Sequence, residues 1–391
     1  VGRLFLEIDY YQLHKQGQGM CGDAFTSRKY GDRLVSVLAD GLGSGIKAGV
    51  LATLTTTMAA RFVQSDMDIR RAADVILDTL PVCSRRKIGY STFTIVDARL
   101  NGAVRIVEYD NPSFVLLREG AALPVEKTEI VLPGDRQGKL YDTSLTLLPG
   151  DRIVFFSDGV TQAGMGSPFL PLGWKLEGVR GFLEEVLAEH PRISAGELSK
   201  RTARRALEHD SGHARDDITC AALYLRNPRK TLLMTGPPYS AENDARLAQL
   251  AAGFSGRKVI CGGTTSSIIA RELNLPVSVN LAELRRGSDI PPTALIPGFD
   301  LVTEGTITLS RCLRILEEDP PLESIPDGPV KKLTALLLDS DIVRIVVGTR
   351  INEAHQDPSL PRELEIRRNL MKRFCQVLES KYMKETQIEF L

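Results

Sequence analysis

Four aspartates in the first half of the chain stand where carboxylates can do chemistry. They are Asp23 in Cys21-Gly-Asp-Ala-Phe, Asp40 in Ala39-Asp-Gly-Leu-Gly-Ser-Gly, Asp158 in Ser157-Asp-Gly-Val and Asp216 in Arg215-Asp-Asp-Ile-Thr. Each adjoins a strand-like run, so its oxygens sit at a sheet edge, where residues far apart in sequence can converge. Convergent hard oxygens suit Mg²⁺ or Mn²⁺. Gly41 adds a backbone carbonyl that an ion can approach closely, because no side chain stands in the way. Any one of these aspartates is equally readable as a turn or cap residue, since Asp-Gly is a common turn dipeptide. Four of them, each beside a strand, are harder to explain by turns.

The elements that position them alternate. Strand patterns run from Gly2 to His14, Leu34 to Ala39, Tyr90 to Asp97, Ala103 to Tyr109, Ser113 to Arg118, Ile153 to Ser157 and Ile218 to Leu225. The run from Tyr90 to Arg118 reads as a succession of hairpins, and the whole as antiparallel sheet. Helical spacing covers Ser44 to Gln64, Met67 to Leu80 (stopped by Pro81), Leu176 to Glu189, and Ser194 to His209, where Ser194 and Glu197 fit a capping box. Asn227-Pro-Arg-Lys is a polar break that divides the chain into residues 1–227 and 228–391. Beyond it, strands at Lys230 to Thr235, Lys258 to Cys261, Val277 to Asn280 and Ile342 to Val347 alternate with helices at Ala241 to Ala252, Thr264 to Leu273, Leu309 to Glu318, Pro329 to Leu338 and Pro361 to Lys384. That alternation predicts a separate α/β domain with a mainly parallel sheet.

The chain has 391 residues, 49 basic and 49 acidic side chains, and is 43% hydrophobic. This length predicts two domains. The charge balance removes the footprint of a nucleic-acid binder. Six cysteines (Cys21, Cys83, Cys220, Cys261, Cys312, Cys375) form no CxxC pair, and no apolar run is long enough to span a bilayer. The expectation is a reducing cytoplasm, with no membrane and no nucleic acid. A first residue of Val rather than Met is what a piece of a longer chain shows, which raises the expectation of an upstream domain.

Residues 1 to about 226 resemble the metal-dependent protein phosphatases of the protein phosphatase 2C superfamily, in the bacterial branch typified by the stage II sporulation protein E phosphatase and the stress-response regulatory phosphatases. The resemblance runs through the four aspartate motifs, Leu148-Pro-Gly-Asp-Arg-Ile-Val-Phe-Phe-Ser-Asp-Gly-Val-Thr, and Asp110-Asn-Pro-Ser-Phe-Val-Leu-Leu. It implies an α+β fold, a four-layer αββα sandwich with two divalent ions, Mn²⁺ or Mg²⁺, at one edge. Asp40 is similar to the carboxylate that bridges both ions, the Gly41 carbonyl to a ligand of one, Asp158 and Asp216 to ligands of the second, and Asp23 to a direct or water-mediated ligand. Asp217, where many relatives have Asn, is expected to support rather than ligate. Two such ions lower the pKa of a water, align it with the ester bond and neutralise phosphoryl charge.

The chain also departs from relatives. Leu42 stands where eukaryotic members carry a His that protonates the leaving group, and a bulky apolar residue there is normal for the bacterial branch. His213, a lone His on a polar loop, is more often a bystander than an acid. No Arg upstream of Asp23 matches the phosphate-binding Arg of eukaryotic members, and Gln162 replaces the usual Glu. The two helices after Asp40 are implicated in switching metal binding in the branch, although they equally serve to cover the sheet.

In the second domain Gly262, Gly263, Thr264 and Thr265 lie between strand and helix, a setting for a small anionic ligand at a helix N-terminus, or else for a tight capped turn. Phe299 to Thr306 is a second polar cluster of the same ambiguity. The long C-terminal helix carries Leu364, Leu370, Met371, Phe374 and Leu378 on one side, for packing against the domain. The leading reading is a serine/threonine phosphatase of a phosphorylated bacterial regulatory protein, such as an anti-anti-sigma-like factor, with a regulatory or docking second domain and a homodimer as a candidate assembly. The alternatives are a catalytically weak, ligand-gated binding module and a phosphatase of a small phosphorylated metabolite.

Overall fold

The computed structural model describes residues 4–43, 45–80, 91–132, 138–279, 291–350 and 360–391. Gly2, Ser44, Pro81, Cys83, Tyr90, Asn280 and the side chain of Leu364 lie outside what is described. The chain forms two compact units, Val1–Asn227 and Pro228–Leu391.

The first unit is built on two sheets whose strand pairings are all antiparallel. One has the order β1 (Phe5–Leu13), β11 (Ile218–Arg226), β10 (Arg152–Phe156), β6 (Val115–Arg118), β7 (Ala121–Leu123). The other runs β2 (Asp23–Tyr30), β3 (Arg33–Gly41), β4 (Ser91–Arg99), β5 (Ala103–Tyr109), β9 (Leu140–Thr146), β8 (Thr128–Ile130). The expected succession of hairpins therefore breaks after β5, because β6 leaves for the first sheet. Asn111 secures that crossing, accepting from the Thr92 hydroxyl at 2.6 Å and donating to Thr94 Oγ1 at 3.1 Å.

Helices α1 (Ile46–Gln64) and α2 (Ile69–Thr79) pack Ala52, Ala59, Val63, Ile69, Ala73 and Ile76 on the second sheet. Helices α4 (Lys175–Glu189) and α5 (Ala195–His209) cover the first with Val179, Leu183, Leu198 and Ala203, which is why every residue of β11 is buried. Small residues dominate the buried faces of α1 and α5, so these two helices lie close to the strands. Tyr10 of the first sheet stacks on Phe25 of the second at 4.4 Å, and Phe155 meets Phe25 at 6.3 Å. Half of the expected capping box forms at α5: Ser194 accepts from the Glu197 N–H, whereas the Glu197 carboxylate pairs with Arg201. The Ser194 bond alone is worth about 1 kcal/mol.

The second unit has one mixed sheet, in the order β14 (Ser278–Val279), β15 (Ala294–Leu295), β16 (Leu301–Thr303), β13 (Arg257–Cys261), β12 (Lys230–Thr235), β17 (Ile342–Val347), β18 (Glu385–Phe390). Pairings from β16 to β18 are parallel, and those of β14 and β15 antiparallel. Helices α6 (Asp244–Gly253) and α7 (Gly263–Glu272) share one core, while α8 (Thr306–Glu318), α9 (Pro329–Leu338) and α10 (Leu360–Ser380) share another. Met371, Phe374 and Leu378 of α10 are fully buried in the latter. Among the described residues no helix is long and apolar enough to cross a membrane.

Candidate active site

The antiparallel register of β2 and β3 sets Asp23 directly opposite Asp40. Directly paired residues share a face of the sheet, with Cβ atoms roughly 5 Å apart, and like charges so placed repel. The other sheet brings Asp158, the first residue of the short helix α3 (Asp158–Thr161) after β10, and Asp216, two residues before β11. The Asp40 and Asp158 carboxyl groups lie within hydrogen-bonding reach of each other. The four sequence-predicted aspartates thus gather at one edge of the unit.

Specific bonds tie the two sheets together there. Thr219 Oγ1 donates to Asp23 Oδ2 at 2.6 Å, and Gln12 Nε2 donates to both the Asp23 carbonyl and Thr219 Oγ1. Asp217, the expected support, is buried and accepts backbone N–H groups from Lys15 and Gly22, one on each oxygen, both at 2.8 Å. It thereby fixes the entry to β2 against the start of β11. Asp217→Ala leaves two N–H groups without their charged acceptor. A loss of about 2–4 kcal/mol in chemical denaturation is expected.

The electrostatics of the cluster are those of crowded carboxylates, with Lys15 near Asp216 as the cation described beside them. Burial raises the Asp40 pKa, and the charges of Asp23, Asp158 and Asp216 raise it further. Burial likewise raises Asp23, against the opposing hydrogen bond of Thr219, and raises Asp158, with Asp216 adding. Asp23 Oδ1 is buried and has no hydrogen-bond partner among the described residues. Among those residues, no three His, Cys, Asp or Glu side chains are already gathered as a ligand set. The fit to hard divalent cations rests on the all-oxygen donors, the orphaned oxygen and the mutual repulsion.

A pH dependence follows. The native state holds protons that the unfolded chain has released, so this contribution to stability is fully present below the ordinary carboxylate range and is lost as pH rises through the raised values. Thermal denaturation in chelator is expected to show a melting temperature that falls from about pH 5 to pH 8. Saturating Mn²⁺ is expected to reverse the fall.

Gly41 has a reason beyond its carbonyl. A Cβ there would lie 2.1 Å from the Ala48 carbonyl oxygen of α1, so the bare backbone lets the helix sit against the strand end. Gly159 is constrained in the same way by the Asp217 carbonyl, also at 2.1 Å. Gln162 Nε2 donates to Asp158 Oδ2 at 2.7 Å and orients it. Leu42 is half-buried and His213 is exposed, and no described contact ties His213's side chain to the cluster. Sequence reasoning missed Lys15. Its Nζ stands 3.8 Å from Asp216 Oδ1 and is about one-third exposed, and only its basic character upstream of Asp23 could have flagged it.

The family model described as Stage II sporulation protein E (SpoIIE) matches residues 30–226, just over half of the chain. The chain belongs to the SpoIIE family. Its matched residues form a SpoIIE-like segment of the metal-dependent protein phosphatase superfamily and hold Asp40, Asp158 and Asp216, while Asp23 and Lys15 precede them. Among solved structures, the chain is similar to the phosphatase domain with a regulatory-domain fragment of SpoIIE from Bacillus subtilis (17% identity, TM-score 0.48, covering 58% of this chain and 63% of that one). It is also similar to the RsbU and RsbW domains of a Mycobacterium tuberculosis protein (23%, 0.48, 63% and 67%) and to the SiaA PP2C domain of Pseudomonas aeruginosa (17%, 0.41, 55% and 84%). The chain thus spans less than two thirds of the first of these structures. No curated protein matches it. The SpoIIE assignment rests on the family model.

In the second unit Gly262, at φ 136°, precedes α7, and Gly263 and Thr264 are exposed. Thr265 is buried, its Oγ1 lacks a partner among the described residues, and that oxygen lies 3.2 Å from where a Gly262 Cβ would stand. Ser266 and Ser267 instead turn their hydroxyls back onto the Gly263 carbonyl. The Phe299 to Thr306 cluster resolves as structural, since Glu304 Oε2 accepts the Ile307 and Thr308 N–H groups and caps α8. The strand order reverses direction between β12 and β17, where doubly wound folds open a ligand crevice. Here the crevice is shut, because a Cβ on Gly348 would lie 2.1 Å from the Pro237 carbonyl oxygen, and the Tyr239 and Thr349 N–H groups both donate to the Leu391 carbonyl.

Proposed function

We propose that residues 1–227 are a metal-dependent phosphatase acting on phosphoserine or phosphothreonine of a bacterial regulatory protein in the cytoplasm, with the two sheets and their helices stacked as an αββα sandwich. The observation that carries the reading is the buried, unpartnered Asp23 Oδ1 directly opposite Asp40, in a chain of the SpoIIE family. Asp40 would hold both divalent ions, Mn²⁺ or Mg²⁺, with the Gly41 carbonyl, Asp158, Asp216 and Asp23 completing the set. Bound there, the pair supplies an activated water and neutralises phosphoryl charge.

The chain's own residues do the rest. Gln162 fixes the Asp158 carboxylate, Asp217 anchors the backbone on either side of the cluster, and Lys15 presents a cation at its edge to a phosphoryl oxygen. Leu42 cannot carry a proton, so solvent or another group would have to protonate the leaving oxygen. Lys15→Ala is expected to raise KM for a phosphoprotein about tenfold with kcat little changed, read from initial rates.

The reading is tested by Mn²⁺-dependent hydrolysis of a phosphoserine protein. Asp158→Ala is expected to reduce the rate at least a hundredfold, since even groups that only orient metal ligands contribute ten- to a hundredfold. An inactive wild type at excess Mn²⁺ would leave the binding-module alternative. Activity confined to small phosphate esters would favour the metabolite alternative. The second unit is proposed as a regulatory module with a small anion at Gly262, Gly263, Thr264 and Thr265, where the buried Thr265 hydroxyl supports it. Titration with inorganic phosphate, with Thr265→Val expected to abolish any response, tests that role.

A further inference from the structure

The segment between α3 and α4, from Gly164 to Gly173, is tied by backbone hydrogen bonds yet keeps large apolar side chains in water. Met165 is 44% exposed, Leu172 66% and Phe169 93%. The loop closes on itself, with the Trp174 N–H donating to the Ala163 carbonyl at 2.9 Å, Gly166 N–H to the Pro171 carbonyl and Ser167 N–H to the Gly164 carbonyl. Gly164, Gly166 and Gly173 all take positive φ, which permits the tight reversals. Compact loops with joined ends are frequent sites of function, and apolar residues fixed in the open mark a surface that another molecule covers.

The base of the loop is bonded to the segments that carry the aspartates. Gln162 donates to Asp158, the Gly164 N–H donates to Asp210 Oδ1 at 2.7 Å, and Arg215, the chain neighbour of Asp216, donates through Nη1 to the Met165 carbonyl at 2.6 Å. The loop is therefore a rim of the carboxylate cluster on its Asp158 and Asp216 side. A folded-back loop of ten residues projects at most about 15 Å, a distance that four or five extended substrate residues cover.

We propose that this loop is a specificity element for a polypeptide substrate, with Phe169 and Leu172 receiving an apolar side chain that lies within about five residues of the phosphoserine. The proposal rests on the phosphatase reading and deepens it. A small phosphorylated metabolite, confined to the carboxylate cluster, has no chain to reach these residues. A polypeptide whose phosphate sits in the cluster must pass over the rim. Two apolar side chains carried on a backbone already tied by hydrogen bonds bind with less ordering cost than those of an open loop.

The test compares the full chain with a Phe169→Ser/Leu172→Ser variant, with Mn²⁺, on p-nitrophenyl phosphate and two phosphoserine peptides. The peptides are identical except that the third and fourth residues on either side of the phosphoserine are Leu in one and Ser in the other. The wild type is expected to prefer the Leu peptide about tenfold or more in kcat/KM. The variant is expected to keep its p-nitrophenyl phosphate rate within about twofold and to lose the peptide preference through KM. A wild type without preference, a variant that retains it, or an equal loss on all three substrates overturns the proposal. So does a variant that keeps the preference but changes oligomeric state in light scattering, which would assign the patch to a second copy. Failure of the wild type to hydrolyse any of the three, including p-nitrophenyl phosphate, strikes the phosphatase reading itself.

Discussion

Asp40→Asn is expected to lower metal-dependent phosphatase activity on the order of a thousandfold and, at the same time, to raise the melting temperature of the metal-free protein at pH 8. The two effects share one cause. Asp40 sits opposite Asp23 and beside Asp158, and burial with those neighbouring charges holds its carboxyl well above the ordinary range. In chelator at pH 8 the native state must either ionise a crowded carboxyl or keep a proton that the unfolded chain has released. Asn removes that conflict at nearly the same volume, for a gain of about 1–3 kcal/mol. It also removes the charge proposed to join two cations. Scanning calorimetry with and without Mn²⁺ reads both consequences, because the variant's melting temperature should respond little to the metal and fall less steeply with pH than the wild type's, the remaining fall coming from Asp23 and Asp158. An Asn variant that is less stable than wild type in chelator would show that the cluster is not electrostatically strained.

Gly41→Ala is expected to damage the fold and the site together. The added methyl would lie 2.1 Å from the Ala48 carbonyl oxygen, 2.6 Å from its carbon and 2.8 Å from its Cα, all backbone atoms of α1 that cannot rotate away. Either α1 moves off the strand or the strand end carrying Asp40 does, for about 3 kcal/mol or more. Urea denaturation gives the stability, and Mn²⁺ titration gives the coupled loss of affinity. Gly181→Ala in α4, where a Cβ meets nothing within 4 Å, should by contrast stabilise by roughly 0.5–1 kcal/mol. Equal behaviour of the two variants would mean that α1 does not depend on Gly41. The same contact gives the helices after Asp40 a physical route to the metal loop, since a shift of α1 must displace Gly41 or release it.

Asp40 and Asp158 were legible because each stands at the end of an apolar run, where strand periodicity stops and Asp-Gly begins, whereas Asp216 opens a strand in Arg-Asp-Asp and Asp23, before another, was legible mainly through the family resemblance. The alternation from Lys230 to Val347 was legible for the same reason, as its buried parallel strands are nearly continuous Leu, Val and Ile. The strands Leu140–Thr146 and Glu385–Phe390 were not, because each mixes Thr, Gln, Glu or Asp into a half-exposed pattern that propensity alone leaves ambiguous. Nor was the departure of β6 for the other sheet, since hairpin grammar is local and the crossing depends on Asn111 meeting Thr92 and Thr94. Gly41 illustrates a subtler gap. Its lack of a side chain was visible, but the reason is steric and involves Ala48, which only the fold brings near. Lys15 and the two backbone bonds of Asp217 were likewise hidden, as they join residues some two hundred positions apart.

The most direct measurement is a crystal structure of the protein soaked in Mn²⁺, with anomalous scattering recorded at the manganese edge. Two peaks within ligand distance of Asp40, one of them also reached by Asp158 and Asp216, are the predicted result. An absence of anomalous density at this edge of the sheets at saturating Mn²⁺, with all four carboxylates bonded elsewhere, would contradict the account.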